Sequence, residues 1–279
     1  MLAGLLVGVL ERVLPRIPAA LVGPLSEAGG TLAYTLSPGA RAAVRRNQLV
    51  VAPTRRPRVR RTFVNQLRNS IDTFRLLRIT REQLLRSVEV IGWPAFVAAQ
   101  ERGRGVIMCS AHFGPVVLCG QIFLAHGLPV TLPVEKETNE IGRAVNRARR
   151  AHGLTFVDLD SAFGMHRVLR RGGILGFLAD RPVTGVGERV EFFGRLALLP
   201  SAPVAFALRT GAALVPGFAH RARGRLVAHF EPALTLVRTG DHATDVRAGV
   251  REFARVMELH IARAPEEWAA FQPLWDTGG

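Results

Sequence analysis

Val106-Ile107-Met108-Cys109-Ser110-Ala111-His112-Phe113-Gly114-Pro115-Val116-Val117 is the stretch from which the fold can be read. The apolar run Val106 to Cys109 has the length and composition of a buried strand. The turn-like Arg102-Gly103-Arg104-Gly105 precedes it, and Gly114-Pro115 breaks it. Proline is well suited to the first turn of a helix, and Val116 to Leu124 supplies an apolar helix after it. His112 then falls at the carboxyl end of a strand, beside a helix start. Open α/β sheets place ligands at such ends. An imidazole there can accept a proton near neutral pH, or it can simply be packed in a loop.

Outward from this stretch, short apolar runs alternate with helical segments. Strands are expected at Val88–Ile91, Val130–Val134, Phe156–Leu159, Ile174–Ala179 and Ala213–Pro216, with an edge-type strand at Arg225–Phe230. Helices are expected at Thr62–Leu77, Arg81–Leu85, Trp93–Gln100, Asn139–His152, Gly164–Leu169, from Leu199-Pro200 to Arg209, and Asp245–Ile261. Thr184-Gly185-Val186-Gly187 reads as a loop. Strand–helix alternation with continuously apolar strands predicts an α/β fold, a mainly parallel central sheet flanked by helices.

Residues 1–40 stand apart. Met1 to Leu10 is apolar but too short to cross a bilayer, and Pro15, Pro18 and Pro24 interrupt the residues after it. This segment reads as a membrane-contacting helical hairpin with Arg12 and Arg16 at headgroup level, or as helices packed on the domain. Residues 41–279 form the expected α/β domain. Its start carries Arg41, Arg45, Arg46, Arg55, Arg56, Arg58, Arg60 and Arg61. Each such cation contributes about 1 kcal/mol near an anionic leaflet.

The 279 residues carry a formal net charge of +15, and Lys136 is the sole lysine. That charge asks for an anionic partner. With one tyrosine and no interleaving of aromatic and basic residues, no nucleic-acid partner is expected. Cys109 and Cys119 lack the spacing of a zinc or disulfide framework, so both read as small buried hydrophobes and no metal is expected.

A further set of segments resembles the bacterial lipid A biosynthesis acyltransferases, which include the phosphatidylinositol mannoside acyltransferases. The segments are Arg46-Asn47, Leu178-Ala179-Asp180-Arg181, Val190-Glu191-Phe192-Phe193-Gly194, Pro200-Ser201-Ala202-Pro203, Arg209-Thr210-Gly211-Ala212, Val215-Pro216, and Ala264-Pro265-Glu266-Glu267-Trp268 through Trp275. The resemblance implies transfer of a fatty acyl group from acyl-CoA or acyl-carrier protein to a hydroxyl of a glycolipid, with no cofactor. It implies an enzyme at the cytoplasmic face of the plasma (inner) membrane, on an anionic membrane surface. It places His112 as general base.

The sequence departs from the family's pattern of His, four residues, then Asp or Glu, because the acidic position is Val117. Valine cannot orient an imidazole or stabilise its protonated form. Three readings are open. Another carboxylate, Glu191 or Asp180, serves instead; the imidazole acts alone; or the chain is a catalytically impaired relative that binds lipid. Glu191 resembles a carboxylate near the mannoside enzymes' active site, where it would hold His112 or contact the acceptor, and Glu140 resembles another site carboxylate. Asp180 and Arg181 are expected at a strand end as substrate-binding groups, Arg181 suited to a phosphate. Arg143, Arg147 and Arg150 are candidates for the donor's phosphates or a carrier's acidic surface.

Overall fold

The protein is described from a computed structural model, which covers residues 2–135, 140–182, 185–222 and 224–275. Asn139, expected to open a helix, and Thr184, expected in a loop, lie outside the described residues.

The elements in chain order are α1 (Leu2–Val13), α2 (Ala19–Leu36), α3 (Pro38–Val51), α4 (Val59–Arg75), α5 (Arg81–Ser87), β1 (Val88–Ile91), α6 (Trp93–Gln100), β2 (Val106–Ser110), α7 (Val116–Ala125) and β3 (Val130–Val134). They continue with α8 (Glu140–Arg149), β4 (Thr155–Asp158), α9 (Ala162–Arg170), β5 (Ile174–Leu178), β6 (Glu188–Phe192), β7 (Arg195–Leu199), α10 (Ala202–Thr210), β8 (Ala213–Ala222), β9 (Arg225–Phe230) and α11 (His242–Arg263).

Seven strands form one sheet in the order β1-β9-β8-β2-β5-β3-β4. Every neighbouring pair is parallel except β8–β9. The expected mainly parallel sheet is present. Its centre is β2, buried at all five positions, as a strand covered on both faces must be. Alternation along β2 divides the core. Ile107 and Cys109 pack with α9, α10, α11 and the β6–β7 hairpin. Val106 and Met108 pack with α5, α6 and α7 on the other face.

Two strand expectations change. Residues Arg225–Phe230 are not an edge: β9 lies between β1 and β8. Its polar side chains suggest an edge, but His229 faces α11 rather than open water, and both backbone edges are paired. The strand expected to end at Pro216 runs on to Ala222. Pro216 pairs with Cys109 at the last register position with β2, and beyond it β8 pairs only with β9. A residue without an N–H is tolerated where a ladder ends. The β6–β7 hairpin is not among the expected strands. It forms an antiparallel two-stranded sheet turned at Phe193 and Gly194, both with positive φ.

The N-terminal helices pack on the domain. Val7 of α1 joins Phe74, Ala144 and Ala148 in a small cluster. Pro24 does not interrupt α2, which runs through it; near the helix start it removes one backbone bond. α2 approaches α4 so closely that a Cβ at Gly30 would stand 2.5 Å from Val64 Cα. No described helix is long and apolar enough to cross a membrane.

Candidate active site

Adjacent parallel strands build the site. Ser110 is the register partner of Leu178, and Ala179 N donates to Ser110 O across 2.8 Å. His112 and Asp180 each lie two residues beyond those ends, so neighbouring carboxyl termini bring them together. Asp180 Oδ1 stands 2.7 Å from His112 Nδ1. The other carboxylate oxygen, Oδ2, accepts from Trp268 Nε1 at 2.9 Å. Asp180 is 1% exposed, whereas the His112 side chain retains 25% exposure. The imidazole is thus held from behind and open in front.

Burial pushes the Asp180 carboxyl up. The opposing charge of His112 and hydrogen bonds from His112 and Trp268 outweigh it, and the pKa lies below the usual value. An ionised Asp180 accepts from Nδ1–H and leaves Nε2 as the lone-pair nitrogen. Arg181 Nη2 lies 3.4 Å from Nε2, which places a permanent cation beside the position where a proton would be taken.

The loop carrying His112 is tied down on several sides. Its carbonyl accepts from Ala269 N at 2.8 Å, and Gly114 N donates to Glu267 O at 2.8 Å. Phe113 and Trp268 form an antiparallel bridge. Gly114 has φ +56, and a Cβ there would lie 2.0 Å from Ala219 O, so only glycine fits. Asn69 Nδ2 donates to Gly114 O at 2.9 Å, and Asn69 Oδ1 accepts from Arg221, itself bound to Asp72 at 2.6 Å. The C-terminal strap is fixed by buried Asn47, which donates to Ala270 O and Gln272 O at 3.0 and 2.8 Å.

In front of the imidazole lies a cavity of about 450 Å³. Met108, Val116, Phe123, Leu132, Phe177 and Phe230 are among its apolar walls, and His112 and Arg181 line it as well. This is the size and character of a small-molecule pocket. Val117 also lines it. The position expected to be acidic therefore supplies apolar wall, and the carboxylate on His112 comes from β5 instead of α7. Cys109 and Cys119 line the same cavity. Burial pushes the Cys119 thiol up to about 12 and that of Cys109 well above its usual value. Both stay protonated and act as the packed hydrophobes the sequence suggests.

The remaining sequence candidates scatter. Glu191 sits exposed on β6, opposite in facing to buried Val190 and Phe192, and is absent from the cavity lining; the carboxylate on His112 is Asp180, not Glu191. Asp180 stands behind the imidazole and, though buried, borders a small hollow with Arg181, Trp268 and Gln272. Glu140 is exposed at the start of α8. Arg143 is exposed, Arg147 is bound to Glu11 of α1 at 2.7 Å, and Arg150 stacks over Phe156. None of these four lines the cavity, but Arg149 does, with Asn146 and Glu135. Arg149 and Trp268 are the site residues that sequence reasoning passes over. A tryptophan in a motif-bearing tail is the available signal, because a buried indole N–H needs an acceptor.

The profile of the family described as bacterial lipid A biosynthesis acyltransferase matches residues 2–277. A phosphatidylinositol mannoside acyltransferase of Mycobacterium tuberculosis (strain H37Rv) is 27% identical over 215 residues, 73% of this chain and 66% of that protein. The matched stretch thus spans just under two thirds of that relative's length. The enzyme of the same name from Mycolicibacterium smegmatis is 24% identical over 223 residues, 78% of this chain and 72% of that protein.

Proposed function

The chain belongs to the bacterial lipid A biosynthesis acyltransferase family, and on that footing we propose that it is an O-acyltransferase of glycolipid biosynthesis. The observation that carries the reading is His112, gripped by Asp180 at 2.7 Å, at the mouth of an apolar cavity of about 450 Å³.

In this reading an acyl thioester, acyl-CoA or acyl-carrier protein, lays its chain in the cavity. His112 Nε2 takes the proton of the acceptor hydroxyl as the oxygen attacks the thioester carbonyl carbon. The carbonyl electrons move to oxygen, forming a tetrahedral oxyanion. Its collapse breaks the C–S bond, and the leaving thiolate receives the proton from the imidazolium. Asp180 stabilises that imidazolium, as a buried carboxylate does in a catalytic triad. Arg181 stands close enough to stabilise the oxyanion or to bind a phosphate. It also lines a second hollow of about 190 Å³, together with Asp180, Trp268 and Gln272, which in this reading takes part of the acceptor headgroup. No step requires a metal or redox cofactor, since the thioester arrives activated.

Membrane association of the peripheral or monotopic kind fits the N-terminal half. Leu21, Leu25, Leu32 and Leu36 of α2 are all exposed, Leu36 at 72%. Their spacing puts them on one helix face. Arg45, Arg46, Arg55, Arg56 and Arg58 are exposed on the following segment, suited to an anionic leaflet at the cytoplasmic side. By analogy with the mycobacterial phosphatidylinositol mannoside acyltransferases, the acceptor in this reading is a phosphatidylinositol mannoside. The test is incubation with a radiolabelled acyl-CoA and, separately, phosphatidylinositol mannoside and lipid A precursors. Label in the mannoside with an ester linkage is expected; label in neither lipid, with folded protein and either donor type, overturns the reading.

A further inference from the structure

Eight histidines occur in the chain, and two of them meet a carboxylate well away from His112. His229 lies near the end of β9, and Glu231 comes two residues later, its N–H continuing the ladder to Pro216 O at 2.9 Å. A two-residue step along extended backbone keeps both side chains on one face. That face is the one against which α11 packs, and α11 contributes His260. His260 Nε2 stands 2.8 Å from Glu231 Oε1, and His229 Nε2 stands 3.6 Å from the same oxygen. One donor atom from each of the three residues lies within 4.8 Å of the others.

We propose that His229, Glu231 and His260 form a binding site for one divalent transition-metal ion, zinc by donor set, which clips α11 to β9. Two imidazoles and one carboxylate are a zinc donor set, and three protein ligands leave a fourth position for water. Ligands bonded at about 2.1 Å in a tetrahedral site stand roughly 3.4 Å apart. The two separations to Glu231, 2.8 and 3.6 Å, bracket that spacing, and the two histidine nitrogens lie within 4.8 Å of each other. Calcium and magnesium prefer oxygen-rich sites.

The surroundings suit the ion. His260 is 4% exposed and its ring stacks on Phe218 with centroids 4.1 Å apart, which fixes the ring plane. His229 and Glu231 are half-buried, giving solvent access for the fourth ligand. On binding, Nε2 of His260 gives up its hydrogen bond to Glu231 to become a ligand, and the neutral ring carries its proton on Nδ1. Among the described residues, Arg263 and His220 are the other charged or titratable groups that act on these histidines, and Glu231 is the carboxylate that offsets the ion's charge. The site lies across the sheet from the cavity. It touches the His112 loop through packing, since Phe218 stands edge-on to Phe113 at 6.3 Å. The clip therefore stiffens the wall behind the loop without entering the chemistry.

The experiment uses the untagged full chain, stripped with chelator and titrated with Co²⁺ as a coloured stand-in for zinc. One equivalent is expected to give a visible ligand-field band that Zn²⁺ abolishes, and Zn²⁺ is expected to raise the melting temperature. His229→Gln and Glu231→Gln, which alter half-exposed side chains, are expected to lose both responses while melting like wild type in chelator. Absence of the band in wild type overturns the site, as does an unchanged band in either folded variant. Should a variant not fold, the wild-type titration and the other variant decide.

Discussion

His112 and Asp180 occupy equivalent places at the ends of two neighbouring parallel strands, two residues beyond Ser110 and Leu178, and their side chains meet at 2.7 Å. The pairing is fixed by sheet register, not by a helix turn. In the proposed mechanism Asp180, two residues beyond β5, does for the imidazole what an acid at position 117, at the start of α7, would otherwise do.

Asp180→Asn keeps the shape and removes the charge. An amide can hold the imidazole in the wrong tautomer, and the comparable change in a catalytic triad costs about 10⁴ in rate. The expected outcome is a fall in kcat of that order with a modest change in KM. Steady-state kinetics on protein with a wild-type circular dichroism spectrum checks it.

Val117→Asp restores the acid of the family's usual spacing, yet no rescue is expected. Val117 is part of the cavity wall, and an unpaired carboxylate there is costly to desolvate. Activity is expected to fall at least about tenfold, equivalent to about 1.4 kcal/mol, mainly through a higher KM for the acyl donor. A gain in kcat would mean that Asp180 is not the orienting acid.

Trp268→Phe keeps a ring but deletes the N–H that Asp180 Oδ2 accepts. Loss of one donor to a buried carboxylate destabilises by about 1–3 kcal/mol. The Asp180 pKa is depressed in the folded protein, so its contribution to stability is present above the unfolded value and lost as pH falls through the folded one. Removing a cause of the depression raises the folded pKa. Thermal melts across the acid range are expected to show the variant losing stability at a higher pH than wild type.

Gly120→Leu tests the cavity as the acyl site. Gly120 lines it, and a Cβ there meets nothing nearer than Leu154 Cδ1 at 4.0 Å. A leucine fills space without a backbone clash and favours the helix by up to about 1 kcal/mol. Preference is expected to move to shorter acyl donors, read as the ratio of kcat/KM across a chain-length series.

The double substitution Leu32→Asp with Leu36→Asp tests the membrane face. Both leucines are exposed, so the fold is expected to be unaffected. Binding to anionic vesicles in a sedimentation assay is expected to drop at least about tenfold, as loss of buried apolar area on the bilayer requires.

The central sheet is readable because continuously apolar strands such as Val106–Cys109 and Ile174–Leu178 carry their own signal. β9 reads wrongly as an edge because alternation reports polarity, not what covers it: His229 meets α11, and nothing local in the sequence says so. The hairpin is hidden because Phe193 occupies a positive-φ turn position that usually signals itself by Asn or Asp before Gly. His112 is legible from its strand–loop–helix setting. Its partner is legible only as two alternatives, because Asp180 and Glu191 are separated from it by long stretches of chain and only register chooses between them. The arginines of α8 illustrate the same limit. Helical spacing predicts an amphipathic face, but which arginine reaches the cavity depends on how α8 is rotated by Val7, Ala144 and Ala148.

The most direct measurement is transfer of labelled acyl groups to acceptor lipid by wild type and His112→Ala, compared under single-turnover conditions with both proteins equally folded. With Nε2 as the proton acceptor, the variant is expected to lose at least about 10³ in rate, within the range seen when a catalytic base is removed. Equal rates for the two proteins would contradict the assignment of His112 and, with it, the role given to Asp180.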